Sequence, residues 1–146
     1  MERINHKGKK ILYRAGMIPY VVEGNEVKML FMKPSDTMYG GDSFQMCKGV
    51  IEDFEDTRSA AIREAEEELG LTKDNTVCVM ELGVFLGRTT VFICKVKNKE
   101  DFIEPHYETD EVKWMTCQEF VREGRELHRE IVQLAEQVIQ KNEDLD

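Results

Sequence analysis

The sequence predicts a mixed α/β sandwich of the α+β kind, and three observations carry that expectation. Two apolar, β-rich runs joined by Gly24-Asn25 open the fold, a capped helical pattern covers residues 57–69, and two more β-rich runs with a closing amphipathic segment follow. Strands, helix, strands and helix in that order suit layered packing around a mixed sheet. At 146 residues the chain suits one domain spanning 1–146, long enough to bury a sizeable core. Hydrophobic residues make up 41% and charged residues 34%, a globular balance rather than a disordered one.

Residues 1–10, MERINHKGKK, read as a basic, loosely ordered lead-in. Residues 15–22 and 27–32 are apolar and β-rich, and Gly24-Asn25 between them marks a hairpin turn. Residues 34–42 are rich in Gly, Asp and Ser and predict a loop near the site. Residues 44–47 form a short extended piece running into Gly49. Asp56 or Thr57 can cap the following helix, and Gly70 stops it just past Leu69. On that helix Ala61, Ile62, Ala65 and Leu69 make an apolar stripe, with Glu64, Glu67 and Glu68 on a different face.

Residues 77–85 and 89–96 read as strands with Gly87 in the turn. Residues 98–110 are polar and acidic, a loop. Residues 112–115 form a short strand and 116–122 a short helix, broken at Gly124. A longer helix over 125–141 carries Leu127, Ile131, Leu134 and Val138 at i, i+4, i+7 and i+11. No internal repeat or low-complexity tract interrupts this order.

Charge and cysteine usage exclude several function classes. Net charge is −9, from 29 acidic against 20 basic residues, which disfavours long nucleic acids and anionic membranes as partners. No apolar run reaches membrane-spanning length, and the N-terminus lacks the apolar core of a signal peptide. Cys47, Cys78, Cys94 and Cys117 show no CxxC spacing, which argues against zinc ribbons and thioredoxin-like chemistry. Three of the four lie in apolar or strand-like surroundings, where a buried free thiol is ordinary. A reduced, cytoplasmic setting fits best.

The chemistry concentrates in the helix. Glu64, Glu67 and Glu68 stand at i, i+3 and i+4, so three like charges converge and repel by tenths of a kcal/mol per pair. A divalent cation gives such a cluster a purpose. Mg²⁺ takes hard oxygen ligands and is typically held through one or two carboxylates plus substrate phosphates. The ordinary alternative is a solvated acidic face with Arg63 paired to Glu67.

Residues 49–71, GVIEDFEDTRSAAIREAEEELGL, favour the first reading. Gly49, Glu55, Arg63, Glu64, Glu67, Glu68 and Gly70 stand at the spacings of the Nudix box, G-x5-E-x7-R-E-U-x-E-E-x-G-U, with Ala65 and Leu71 in the apolar U slots. The chain thus resembles the Nudix hydrolases at every charged and glycine position of that motif. The resemblance implies an α/β/α sandwich with a mixed sheet and a cut within a diphosphate linkage that depends on Mg²⁺ or Mn²⁺. It implies Glu64, Glu67 and Glu68 as metal ligands, with Glu64 as ligand or general base. Arg63 would orient these glutamates by bidentate hydrogen bonds, and Glu55 would pair inside the loop-helix unit. Gly49 would let the backbone approach, and Gly70 would end the helix.

Outside the box the resemblance is partial. Residues 44–49, FQMCKG, are similar to the W-x-x-P-K-G lead-in of some diadenosine-polyphosphate hydrolases, with Phe44 for Trp and Cys47 for Pro. There the carbonyl before the box glycine, here that of Lys48, would ligate metal, and the Lys48 side chain could meet a phosphate. Residues 108–116, ETDEVKWMT, resemble a segment in which some members carry a further glutamate, six residues before a Trp, as ligand or base. Glu108 holds that place before Trp114, with Glu104, Asp110 and Glu111 as competitors. Arg14 lies where related enzymes contact substrate phosphate, although a plain edge-strand arginine is the preferred reading. Tyr39, Phe44, Phe85 and Tyr107 are the rings on which a base could stack. His106 and His128 match no ligand pattern.

Substrate choice is read by loops around a cleft rather than by the box. The lead-in tilts the expectation toward dinucleoside polyphosphates, with ADP-ribose-like or flavin dinucleotides close behind. Residues 72–104 hold neither the proline of ADP-ribose-cleaving members nor the tyrosine of some diadenosine-polyphosphate hydrolases. Pyrophosphate removal from RNA 5′ ends, nucleoside-triphosphate sanitising and a nucleotide-sensing module without catalysis are the alternatives. Oligomeric state is not legible.

Overall fold

The computed structural model describes residues 2–4, 10–36, 38, 42–102 and 108–145. A mixed sheet of six strands forms its centre, in the order β6-β7-β3-β4-β8, with β5 paired to β3. Strand β3 (Arg14–Glu23) is buried along most of its length because it has neighbours on both edges and helices on both faces. It runs parallel to β7 (Thr89–Val96) from Arg14↔Thr89 to Tyr20↔Lys95. Its other edge is shared. The second half pairs antiparallel with β4 (Glu26–Pro34) from Tyr20↔Met29 to Glu23↔Glu26, and the first half pairs with β5 (Cys47–Val50) from Met17↔Cys47 to Arg14↔Val50. The split between β4 and β5 opens the cleft described below.

Strand β6 (Thr76–Phe85) forms one edge beside β7, and β8 (Thr109–Met115) the other beside β4. Helix α1 (Thr57–Leu69) packs on one face against Ala15, Met17, Phe92 and Cys94. Helices α2 (Cys117–Glu123) and α3 (Arg129–Asn142) cover the other face with Phe120, Ile131, Val132, Ala135 and Ile139. The α+β fold with a mixed sheet is as the sequence predicts.

Local signals explain most boundaries. Asp56, rather than Thr57, caps α1, accepting a hydrogen bond from the Ser59 N–H at 2.7 Å, and Gly70 ends it at φ 80. Gly24 turns the β3–β4 hairpin at φ 64, and Leu86-Gly87 turn β6 into β7 at φ 57 and 76. Thr116 and Glu119 make a reciprocal capping box for α2.

Four expectations need correction. Residues 2–4 are not merely a loose lead-in: β1 (Glu2–Ile4) pairs antiparallel with β2 (Lys10–Leu12), runs too short to show a period. The segment over 98–110 contains a 3-10 turn, Lys99–Phe102, whose Phe102 is buried edge-on to Trp114 at 5.7 Å. The last helix begins one turn late, after a 3-10 turn at Glu126–His128. Its buried face is Ile131, Val132, Ala135 and Ile139, whereas Leu127 and Leu134 are exposed. Two apolar faces compete in that segment, and the sheet takes the one with small Ala135 at the contact, which lets the helix lie close.

Among the described residues no helix is long and apolar enough to cross a membrane.

Candidate active site

A cleft of about 250 Å³ lies over the split between β4 and β5. Its walls bring together Arg14 of β3, Lys48, Gly49 and Val50 of β5, Glu64 and Glu68 of α1, and Glu108 at the start of β8. Three separate stretches of sequence thereby meet.

The packing of α1 sets the carboxylates. Ala60, Ala61 and Ala65 are fully buried against the sheet, and their small side chains let the helix approach β3 and β5 closely. The buried face is therefore wider than the apolar stripe and includes Glu64 and Glu68, at 9% and 8% exposure. Glu67 alone of the three stands on the outer flank, its side chain 46% exposed. The expectation that all three lie together on a face apart from the apolar stripe is corrected accordingly. Gly49 makes room for Glu64, since a Cβ there would collide with the Glu64 carboxylate.

Arg63 holds this wall. Its Nε and Nη2 donate to both oxygens of Glu55 at 2.8 and 3.0 Å, a fork-to-fork pair. Nη1 donates to Glu64 Oε1 at 3.0 Å and to Glu67 Oε2 at 3.4 Å, and Nη2 also reaches the Val50 carbonyl at 3.1 Å. Glu55 in turn accepts from the Glu52 N–H at 3.1 Å, closing the loop onto the helix. Hydrogen bonds from Arg63 hold the Glu55 carboxyl below its ordinary range.

Burial works the other way on the inner pair. It pushes Glu64 up, partly offset by Arg63, and pushes Glu68 up to about 8, with the Glu64 charge as the next cause. The two carboxyl groups are close enough to act on each other's charge, and the buried Cys47 thiol lies beside Glu68. Two buried carboxylates sit this close only with a shared proton or a cation between them. Glu68 Oε2 has no hydrogen-bond partner among the described residues. A partnerless buried carboxylate oxygen beside a second carboxylate fits a divalent cation. No group of three or more candidate ligand side chains is drawn together among the described residues, and Mg²⁺ needs no such cage, since waters and substrate phosphates complete its shell.

The lining also carries cations. Burial lowers the Lys48 ammonium, with Arg14 and Arg125 adding to the effect, and burial and Arg88 lower Arg14. These cations gain when an anion enters. Glu108 lines the cleft at φ 57, its carbonyl accepting the Ser35 N–H at 2.9 Å, whereas Glu111 faces Lys33 at 4.0 Å. Glu104 lies outside the described residues.

Neither of the two described aromatic candidates is brought to the cleft. Phe44 is buried in the core on the α2/α3 face, with Lys33 and Lys113 over its ring at 4.8 and 5.7 Å, so its expected role as a base platform is corrected. Phe85 packs against the same core. Tyr39 and Tyr107 lie outside the described residues, as does His106.

Two residues escaped the sequence reading. Gln45, 3% exposed, lines the cleft and accepts from Arg125 Nη1 at 2.9 Å. Its signal was a polar residue inside an apolar extended run. His128 is wholly buried behind the site, its Nδ1 accepting the Met46 N–H at 3.3 Å, and burial lowers its pKa to about 3. A lone histidine at a helix start gives no sequence cue.

The NUDIX domain family model matches residues 13–135, and the chain belongs to that family. It is a hydrolase acting on phosphorus-containing anhydrides. Among solved structures it is similar to a binary complex of the Caenorhabditis elegans Ap4A hydrolase, with TM-score 0.70 and 20% identity over 90% of this chain and 99% of that one. A Nudix hydrolase from Mycobacterium smegmatis, RenU, gives TM-score 0.70 and 13% identity over 99% and 94%. The NUDIX domain of Shewanella oneidensis NrtR, complexed with ADP ribose, gives 0.65 and 12% over 94% of each chain. At these identities the likeness is one of fold. No curated protein matches the sequence significantly.

Proposed function

We propose that this hydrolase is a Mg²⁺- or Mn²⁺-dependent pyrophosphohydrolase that cuts the diphosphate linkage of a nucleoside diphosphate joined to a second group. Dinucleoside polyphosphates are among its better substrates, with ADP-ribose-like and flavin dinucleotides close behind. One observation carries the reading: a single cleft is lined by both a buried carboxylate pair, Glu64 and Glu68, and the cations Lys48 and Arg14. Carboxylates alone would repel a polyphosphate, and cations alone would bind it without cutting.

Glu64, Glu67, Glu68, the Lys48 carbonyl and Glu108 are the proposed ligand set. A divalent cation held by these residues would supply charge neutralisation for the phosphates and Lewis acidity toward water. Arg63 keeps Glu64 and Glu67 at fixed positions, so their orientation is settled before substrate arrives. Glu64 or Glu108 takes the proton of the attacking water. Lys48 and Arg14 bind phosphate oxygens beyond the scissile one. Gly49 provides the space that Glu64 fills, while Glu55 and Gly70 anchor the two ends of the motif. The reading treats residues 1–146 as one catalytic unit at work in the cytoplasm on small nucleotides. The net charge of −9 disfavours a long nucleic-acid footprint, although a short RNA 5′ end would fit.

A panel of diadenosine tetraphosphate, ADP-ribose, flavin adenine dinucleotide, nucleoside triphosphates and 5′-triphosphorylated RNA, each with Mg²⁺ and with Mn²⁺, tests the reading. In ¹⁸O-labelled water the label is expected on a phosphate product, because attack is at phosphorus. Label on a ribose carbon, or turnover of simple monoesters only, overturns it.

Two substitutions refine the assignment. Lys48→Ala is expected to weaken diadenosine tetraphosphate hydrolysis by about tenfold more than ADP-ribose hydrolysis, since only the longer polyphosphate has further charge for the ammonium to meet. Equal losses on both would remove Lys48 from that role. Glu108→Gln is expected to lower kcat by about a hundredfold with little change in KM, because a base or ligand acts mainly in the transition state. If Glu104→Gln or Glu111→Gln does this damage instead, a different loop acid serves.

A further inference from the structure

A nucleotide held by its phosphates still needs a surface for its base, and the described cleft lining contains no aromatic side chain. Phe54 is the aromatic residue that the described structure leaves wholly in solvent, at 109% exposure. It occupies the turn 52–55, which is closed by the Glu55 N–H donating to the Glu52 carbonyl at 3.2 Å. There its φ is 65, a left-handed conformation that glycine adopts freely and a bulky side chain rarely does. The chain therefore carries a strained backbone and an unburied ring at one residue. Neither contributes to the fold.

The turn is rigidly tied to the cleft wall. Arg63 grips Glu55 with Nε and Nη2 at 2.8 and 3.0 Å, bonds the carbonyl of cleft-lining Val50 at 3.1 Å, and holds cleft-lining Glu64 at 3.0 Å. One guanidinium thus fixes both the base of the Phe54 turn and the carboxylate that faces the phosphates. Exposed Glu52 and Asp53 precede Phe54 in the same turn. Carboxylates there repel phosphate and accept hydrogen bonds from amino groups, so the uncharged base end of a nucleotide suits this turn and its polyphosphate end does not.

We propose that Phe54 is a substrate-contacting residue whose ring stacks on a nucleobase while the phosphates of the same molecule lie in the cleft. The proposal rests on the pyrophosphohydrolase reading above. The ring gains its partner only when substrate is bound, which accounts for its full exposure without one.

Phe54→Gly and Phe54→Trp in the full chain test this. Phe54→Gly relieves the backbone and is expected to melt no lower than wild type. It is also expected to raise KM for the preferred nucleotide about tenfold, the size of one lost base stack, with kcat changing far less. Inhibition by inorganic triphosphate, which has no base, should be unchanged. Phe54→Trp is expected to restore KM, and its added indole emission should be quenched by nucleotide beyond any change from Trp114 in wild type. A Phe54→Gly protein with wild-type KM on every nucleotide cleaved overturns the assignment, as does equal weakening of inorganic triphosphate. If wild type cleaves none of the panel, the hydrolytic reading fails separately, and nucleotide quenching of Phe54→Trp still decides the role of the ring.

Discussion

Glu68→Gln is expected to lower turnover by at least about a hundredfold and, in the same protein, to raise the melting temperature of the metal-free chain. The first effect follows from removing a charged ligand that acts on the transition state. The second follows from where Glu68 lies. Its carboxylate is buried beside Glu64, and one oxygen lacks a hydrogen-bond partner among the described residues. A buried carboxylate charge beside a second carboxylate costs about 1–3 kcal/mol when both are ionised, and the neutral amide of Gln removes that charge and can donate to Glu64.

The sign with pH is fixed by the direction of the shift. Folding raises Glu68 to about 8, so the native state binds a proton that the unfolded chain has released. Metal-free wild type should lose stability relative to Glu68→Gln as pH rises from about 4.3 toward 8, with no further loss above that. Near pH 8, a gain of about 1–2 kcal/mol corresponds to a melting-temperature rise of roughly 3–8 °C. Glu67→Gln should lose as much activity with no such gain, because its side chain is 46% exposed and its charge is solvated. Differential scanning calorimetry in EDTA and steady-state assays in Mg²⁺ check both halves. Activity that persists in EDTA, or near-normal rates in both variants, would remove the metal hypothesis.

The same burial shows what the sequence could and could not reveal. Spacing placed Glu64, Glu67 and Glu68 on one helix and Gly70 at its end, since those are consequences of local geometry. Spacing did not show that Glu64 and Glu68 turn inward. That depends on three alanines, Ala60, Ala61 and Ala65, drawing the helix onto β5, and on the missing side chain of Gly49 opposite Glu64. A hydrophobic stripe records which side chains prefer burial. It does not record how close two elements can come.

Long-range pairings were hidden for a related reason. Strand existence was legible from β-rich runs, whereas the splitting of one edge of β3 between β4 and β5 is a tertiary choice. That split places Lys48 and Arg14 in one cleft with the glutamates. Phe44 is the reverse case: an aromatic at a motif position was a candidate base platform with core packing as its other reading, and the sheet buries it on the far face. In the segment 126–142 two apolar faces overlapped, so periodicity alone chose Leu127 and Leu134, which stay exposed.

Arg63→Gln is expected to cost about 2–3 kcal/mol of stability at neutral pH and to reduce activity by about a hundredfold or more. Arg63 is 24% exposed and Glu55 15%, so their two-pronged pair is shielded well beyond an ordinary surface bridge. Gln cannot supply the fork or the charge, and Glu52, Glu55, Glu64 and Glu67 would then repel one another without a counter-ion. Arg63→Lys restores the charge but not the planar geometry, and should recover only part of each loss. Acid titration separates charge from packing. Arg63 depresses the Glu55 pKa, so this contribution is present above the unfolded value near 4.3 and is lost as pH falls through the folded one. The stability gap between wild type and Arg63→Gln, read from urea melts at several pH values, should therefore be widest near pH 7 and close in acid. A gap that persists undiminished at pH 3 would mean that Arg63 stabilises through its aliphatic stem, and that the carboxylates of α1 are positioned without it.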